Sequence, residues 1–372
     1  MFNYYQPTRL YFGENRLDEI GSVCEQYGNK VLLVTSNDDV LQNLHMRVIL
    51  LLETKGMNVI HFDQVKPNPS VDIVEAGCKL IHKNPVDMVV ALGGGSCMDT
   101  AKAIAFNNGV SKIDWAYIFA TYCSPFEIYA PYTEKELPII TIPTTSGTGS
   151  QVTQASVLSQ GDDKITFFHP LLFSKVCILD PVLTKTLPAH ISAATGFDAF
   201  THAFESYINP KASIYSKMDS IQAICLIKEN LQKAIKEPEN LTYRANMMLA
   251  DTLAGRALAN GGAAAPHPLS EIIGGILHIP HGEALAIVFA SFIEVFYEQY
   301  EEAFATIASI LGSKNLKKEI ERFLTDINMN KKLSDYDISE DQFNKIINSP
   351  VLDFLPFGSK AQLQEIIRKS YS

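Results

Sequence analysis

The chain has 372 residues, 47% of them hydrophobic, and its 31 basic and 41 acidic side chains give a formal net charge of −10. This length predicts two domains with enough apolar material for a large core. The acidic balance argues against a nucleic-acid or membrane-surface partner, which would need a clustered basic patch.

The N-terminus, MFNYYQPTRLYFGEN, has no basic start followed by an apolar run, so it does not read as a signal peptide. Lys30–Ser36 (KVLLVTS) is rich in β-branched residues and predicts a buried strand. Val40–Lys55 carries apolar residues at helical spacing. Asn58–Phe62 predicts a short strand, followed by the KPNPS turn at Lys66–Ser70 and a helix over Val71–Lys83. Val86–Leu92 is a continuous apolar strand, Met98–Phe106 a helix and Leu137–Ile142 a further strand. Strands and helices alternating at this spacing predict βαβ units and a parallel sheet covered on both faces. Val152–Ser159 and Lys164–Phe168 predict a hairpin around Gln160–Asp163, which contains Gly161. Lys175–Leu179 is the last clear strand.

Beyond Asp180-Pro181 the period becomes helical, over Ile191–Ile208, Tyr215–Ile235, Thr242–Leu258, Glu283–Glu298, Tyr300–Leu311 and Leu316–Ile327. The apolar run Ala284–Ile293 has about half the length a bilayer span needs, and Glu294 follows it. The expected organisation is therefore an α/β domain over residues 1–180 and an all-α domain over residues 181–372. The six cysteines (Cys24, Cys78, Cys97, Cys123, Cys177, Cys225) are scattered and form no CxxC pair. They read as thiols of a reducing compartment, which makes the expected location cytoplasmic.

Two loops carry chemistry. In Val86–Lys102 (VDMVVALGGGSCMDTAK) a strand runs through three glycines and a serine into a helix. Glycines let a ligand approach the backbone, and the unpaired amides of the helix start suit a pyrophosphate. Ser96 is expected to cap that helix, with Asp99 in its first turn. The sequence differs from the GxGxxG dinucleotide fingerprint. Ile142–Thr153 (IPTTSGTGSQVT) then crowds hydroxyls and glycines after another strand. Two donor-rich loops at the carboxyl ends of parallel strands favour a dinucleotide site over ordinary turns.

Of nine histidines, His45, His61, His82, His169 and His190 have no nearby partner in sequence and read as surface or capping residues. Asp198 and His202 are four residues apart on a predicted helix, hence on one face. His267 follows a small-residue run, and His281 lies in HIPHGEA, where His278 is a rival. One carboxylate and three imidazoles are enough to hold a divalent transition metal, although spacing alone does not bring the later histidines to the first pair.

The combined motifs resemble those of the iron-containing (group III) alcohol dehydrogenases. They are GGGSCMDTAK at Gly93–Lys102, IPTTSGTGSQVT at Ile142–Thr153, DPVLTKTLP at Asp180–Pro188, ATGFDAFTHAFESY at Ala194–Tyr207 and HPLSEIIGGILHIPHGEA at His267–Ala284. The resemblance implies a Rossmann-like α/β dinucleotide-binding domain plus an all-α domain, the dehydroquinate synthase-like architecture, with the active site between them. It implies that Asp198, His202, His267 and His281 hold the metal, iron first and zinc second, and favours His281 over His278. It implies pyrophosphate on Gly94, Gly95 and Ser96, and cofactor contacts from Asp99, Thr144, Thr145 and Thr148. Lys164 falls where the family has a lysine reaching the nicotinamide ribose, and Asn68 where it has an asparagine near the cofactor. The implied activity is NAD(P)-linked alcohol oxidation or aldehyde reduction on a small substrate, by a homodimer or larger homo-oligomer.

Three positions depart from the family pattern. Glu271 stands where many members carry a second histidine one turn after the third ligand, and is read as a catalytic proton relay or as shaping the pocket for a polar substrate. Gln151 replaces the glutamate of the usual GTGSE motif. Ser36-Asn37 stands where NAD-preferring relatives place an aspartate that repels a 2′-phosphate. Ser36 therefore admits NADPH, while Asp38 and Asp39 lie close enough to restore the exclusion. The rival activities on the same fold are those of glycerol dehydrogenase and dehydroquinate synthase. The scarcity of basic residues near the C-terminal motifs weighs against the latter.

Overall fold

A computed structural model describes residues 2–130, 132, 136–161 and 163–371. The chain forms two compact units, Tyr5–Thr186 and Leu187–Ser372, the second together with Met1–Tyr4.

The first unit runs β1 (Arg9–Phe12), α1 (Ile20–Cys24), β2 (Lys30–Ser36), α2 (Gln42–Thr54), β3 (Asn58–Val65), α3 (Val71–Lys83), β4 (Met88–Gly93), α4 (Gly95–Phe106), α5 (Trp115–Thr121), β5 (Ile139–Pro143), β6 (Ala155–Gln160), β7 (Asp163–Phe168) and β8 (Val176–Leu179). Six strands form one parallel sheet in the order β1-β8-β5-β4-β2-β3. The apolar runs are continuous because both faces are covered. Along β2, Val31 and Leu33 enter a core with Ile20, Val48 and Leu52, while Leu32 and Val34 enter another with Val74, Met98 and Ile104. The chain steps from β2 outward to β3, then returns across β2 to β4. Chain direction thus reverses at the β2/β4 boundary, where an open α/β sheet leaves a crevice at the strands' carboxyl ends.

Most predicted elements are present, with physical reasons for the shifts. α4 begins at Gly95, three residues earlier than the apolar pattern indicated, and Gly94 is its N-cap. Ser96 therefore lies within the first turn rather than capping it, and Asp99 lies beyond that turn. β1, α1 and α5 carry no pattern long enough to read, and β1 is an edge strand hydrogen-bonded to β8 alone. The hairpin is in register from Ala155↔Phe168 to Gln160↔Asp163. Asp162, in its turn, lies outside the described residues. His45, read as surface or capping, is buried with its ring centroid 5.8 Å from that of His61. His61 Nε2 is in turn 2.9 Å from Thr35 Oγ1. His169 is a cap, accepting from Leu171 N, and is also buried.

The second unit comprises α6 (Ala189–Ile208), α7 (Ile214–Lys236), α8 (Leu241–Gly261), α9 (Pro266–Leu277), α10 (His281–Val295), α11 (Glu301–Leu311), α12 (Leu316–Asp326), α13 (Glu340–Ile347) and α14 (Lys360–Lys369). One apolar core, extending from Ala193 to Ile367, joins them. α9 starts at a proline, whose missing N–H costs nothing at a first helical position. Gly282 lets the first turn of α10 lie against α6, since a Cβ there would be 2.4 Å from the Ala194 carbonyl oxygen. No helix among the described residues is long and apolar enough to cross a membrane, and all six cysteines are free.

Candidate functional site

The carboxyl end of β4 opens into Gly93–Ser96. The α4 amides begin there without a side-chain cap, leaving donors available to an anion. Thr144 N donates to Gly93 O at 3.1 Å, so the hydroxyl loop starts beside the glycine turn. A Cβ on Gly95 would lie 2.7 Å from Thr148 Cγ2, and one on Gly94 would lie 3.4 Å from Thr145. At Gly95 the two loops therefore meet where only hydrogen fits. Ser36 ends β2 beside them. It hydrogen-bonds toward the buried Cys97 thiol, which burial nevertheless pushes up to about 12.

Two buried ionisable side chains tie these loops together. Asp99 accepts from Ser150 Oγ at 2.6 Å and from Val157 N at 3.1 Å, one bond to each carboxylate oxygen. Lys102 is fully buried, and its Nζ donates to Thr153 O, Thr153 Oγ1 and Ala155 O at 3.0, 3.2 and 2.8 Å. Burial lowers its pKa to about 8, against the pull of Asp99. Both side chains thus pin residues 150–157 to α4. The hairpin is anchored again where Ser159 N donates to Pro69 O at 2.8 Å, and Ser159 is the register partner of Lys164. The KPNPS turn, with Asn68 in the left-handed region at φ 55°, and Lys164 consequently belong to one junction. Gln151 is fully buried, so the departure from glutamate removes a charge from the interior rather than from the surface.

In the helical unit, Asp198 Oδ1 is the hub of a second constellation. His202 Nε2 lies 3.6 Å from it, His267 Nε2 3.5 Å and His281 Nε2 3.6 Å. Asp198, His267 and His281 each bring one donor atom within 4.8 Å of the other two. His202 joins through Asp198 and stacks on His267, ring centroids 4.5 Å apart. Burial opposes charge on Asp198, but the surrounding imidazoles hold its carboxyl down at about 2. Glu271 sits half-buried on α9, one turn after His267. His278 ends α9 in a left-handed conformation at φ 55° and stands outside this group.

Residues 7–181 match the model of the iron-containing alcohol dehydrogenase family, and residues 192–369 match that of the Fe-containing alcohol dehydrogenase family, C-terminal. The chain belongs to the iron-containing alcohol dehydrogenase family. It is 32% identical to long-chain-alcohol dehydrogenase 1 of Geobacillus thermodenitrificans, over 93% of this chain and 89% of that protein. It is 31% identical to the 1,3-propanediol dehydrogenase of Citrobacter freundii, over 100% and 99%. A crystal structure of 1,3-propanediol oxidoreductase superposes with a TM-score of 0.91 at 30% identity, covering 100% of both chains. Membership makes this an oxidoreductase of the alcohol dehydrogenase kind, and the family implies a divalent metal and a nicotinamide cofactor.

The residues fit both groups. Asp198 Oδ1 and His267 Nε2 are buried and have no hydrogen-bond partner, an arrangement that costs free energy unless something charged lies between them. Bonds of 2.0–2.2 Å in a tetrahedral site place donors about 3.3–3.6 Å apart, and the three separations from Asp198 Oδ1 to the imidazoles have this size. The family's nucleotide in turn needs a helix start bare of side chains, which Gly94 and Gly95 provide.

The sequence reading missed one residue of this group. Glu205 is fully buried, with Oε1 2.6 Å from His267 Nδ1 and Oε2 accepting from Ala264 N at 2.6 Å. Its signal is present in hindsight, since 198, 202 and 205 follow the i, i+4, i+7 pattern of a single helix face. Ser270 is a weaker neighbour, Oγ lying 3.4 Å from His281 Nδ1 while donating to His267 O at 2.7 Å.

Proposed function

We propose that this protein is a metal-dependent, NAD(P)-linked alcohol dehydrogenase that works as an aldehyde reductase, with Asp198, His202, His267 and His281 as ligands of Fe2+ or Zn2+. The observation that carries this reading is the buried pair of unpartnered atoms, Asp198 Oδ1 and His267 Nε2, at the centre of three imidazoles. A divalent cation supplies Lewis-acid polarisation of an alcohol or carbonyl oxygen. The chain's own groups do the rest. The amides of Gly94, Gly95 and Ser96 take the pyrophosphate, Thr144, Thr145 and Thr148 fix the cofactor's orientation, and Asn68 and Lys164 reach toward the nicotinamide end. Asp99, although buried, acts through the loop it holds. The substrate is an alcohol or the matching aldehyde, the class to which the names of both relatives point.

Ser36 at the end of β2 admits a 2′-phosphate, and the two nearby carboxylates are engaged locally. Asp38 Oδ1 accepts from Val40 N at 3.0 Å, and Asp39 Oδ1 from Gln42 Nε2 at 2.8 Å. The reading therefore leans to NADP(H), and KM for both cofactors on one substrate tests it. Glu271 is assigned the proton relay, being one turn from His267 on α9. An unchanged kcat and pH–rate profile in Glu271→Gln would refute that role. The whole reading is tested by metal analysis followed by NADPH and NADH consumption with an aldehyde panel. A chelator is expected to abolish turnover and added Fe2+ or Zn2+ to restore it. Full turnover by a protein shown to be metal-free would overturn it.

A further inference from the structure

The loop that leads into α9 is strapped to the second half of α6 by three bonds. Ser206 Oγ donates to Gly262 O at 3.0 Å, Asn209 Nδ2 donates to Ala263 O at 2.6 Å, and Ala264 N donates to Glu205 Oε2 at 2.6 Å. This fixes where the first turn of α9 stands, and with it the backbone of His267. The orientation of the imidazole is a separate matter. One edge faces Asp198, Nε2 to Oδ1 at 3.5 Å, and the other faces Glu205, Nδ1 to Oε1 at 2.6 Å.

A carboxylate has acceptors only, so the short contact requires a proton on Nδ1. A neutral imidazole then carries its lone pair on Nε2, on the side of Asp198. Glu205 is matched to two donors, the Ala264 amide and the His267 ring, with one oxygen for each. A glutamine of the same shape has one acceptor and one donor, and so cannot serve both. If its oxygen faces Ala264, its amide pushes the imidazole toward the Nε2–H form. If its oxygen faces His267, two N–H groups collide at Ala264.

We propose that Glu205 is a positioning residue that selects the His267 tautomer able to bind a cation through Nε2. The inference rests on reading the Asp198 cluster as a metal centre. It goes beyond that reading in placing the control of one ligand in a carboxylate that touches neither metal nor substrate. On the neighbouring ligand, Ser270 Oγ lies 3.4 Å from His281 Nδ1.

Competition titrations with a chromophoric chelator, using Zn2+ and Co2+ on the full-length parent and Glu205→Gln, test this directly. Loss of such an outer partner typically weakens metal affinity 10–100-fold, and a loss of about that size is expected. In a His267→Ala background, Glu205→Gln should cost nothing further, because its effect passes through that ring. Equal affinities in parent and Glu205→Gln, or an undiminished cost in the His267→Ala background, would overturn the role of Glu205 while leaving the metal reading standing. A parent that binds neither cation would overturn both. The zinc-loaded parent supplies a test independent of whether the variant folds: its 15N-histidine spectrum should show His267 protonated at Nδ1, and protonation at Nε2 would end the proposal.

Discussion

The glycine- and hydroxyl-rich loops and the histidine cluster are built on opposite principles. The loops are short contiguous segments whose chemistry is mostly main-chain amide, and their essential feature at Gly95 is the absence of a side chain. The cluster is the reverse, with Asp198, His202, Glu205, His267 and His281 drawn from α6, α9 and α10 and held by side-chain contacts. The first should be most sensitive to added volume, and the second to both volume and charge.

The largest expected effect tests the second half of that contrast. Asp198→Ala removes the hub on which three Nε2 atoms converge. Turnover should fall about 1000-fold or more, the loss of several kcal/mol of transition-state stabilisation. Metal content should fall with it, while KM for the nicotinamide cofactor stays near the parent value. A variant that kept its metal would show that the imidazoles alone define the site.

Lys102→Met tests the buried side chains that hold the glycine- and hydroxyl-rich loops. It leaves Asp99 buried without its cation and strips two carbonyls and a hydroxyl of their donor. Leaving buried acceptors without their donor costs about 1–3 kcal/mol. Chemical denaturation followed by the emission of Trp115, the chain's single tryptophan, should record that loss. Metal content should not move. Adding Asp99→Asn should recover part of the stability, and failure to recover any would mean that the bonds from Nζ to residues 153–155 matter more than the charge.

Gly95→Ala is the more modest steric test. Its Cβ would lie 2.7 Å from Thr148 Cγ2, so the hydroxyl loop must shift. A tenfold rise in cofactor Kd, about 1.4 kcal/mol, is expected with little change in metal affinity. Fluorescence titration with NADH and NADPH reads it. An unchanged Kd would mean that the two loops do not act as one surface.

The same contrast explains what could be read from the sequence. β2, α3 and β4 are legible because each is a local pattern, a β-branched run or an apolar stripe at helical spacing. The glycine turn is legible because strand, turn and helix follow one another. Asp198 and His202 share a helix face, and so were linked, but nothing in the spacing brought His267 or His281 to them. Only the motif resemblance did, and the folded helices then brought the donors together. Glu205 was missed because a carboxylate in a helix reads as a solvated face, and its burial follows from a loop 59 residues later folding back on it. Lys102 was missed for the same reason, since its three acceptors lie on a segment about fifty residues downstream.

The smallest effect separates the two units by pH. Cys24, Cys78 and Cys97 all lie in the α/β unit, and burial pushes each thiol up to about 12 from an ordinary value of 9. Between pH 9 and 12 the unfolded chain loses these protons while the folded chain keeps them, so stability falls as pH rises. Lys102 works in the opposite sense. Its folded value of about 8 lies below the ordinary 10.5, so between those limits the folded state binds fewer protons and gains stability. Three thiols, joined at higher pH by the raised Tyr122, Tyr129 and Tyr132 of the same unit, outweigh one lysine, so stability falls as pH rises above 9. In the helical unit, the half-buried Cys225 is the one thiol with a raised value, beside the raised tyrosines Tyr300 and Tyr336, so the fall above pH 9 is smaller there. Urea midpoints read by Trp115 should therefore fall further between pH 9 and 10 than those read by helical circular dichroism. Cys24→Ala should flatten that fall, and a slope untouched by the substitution would show that the thiols do not set the alkaline limit of the α/β unit.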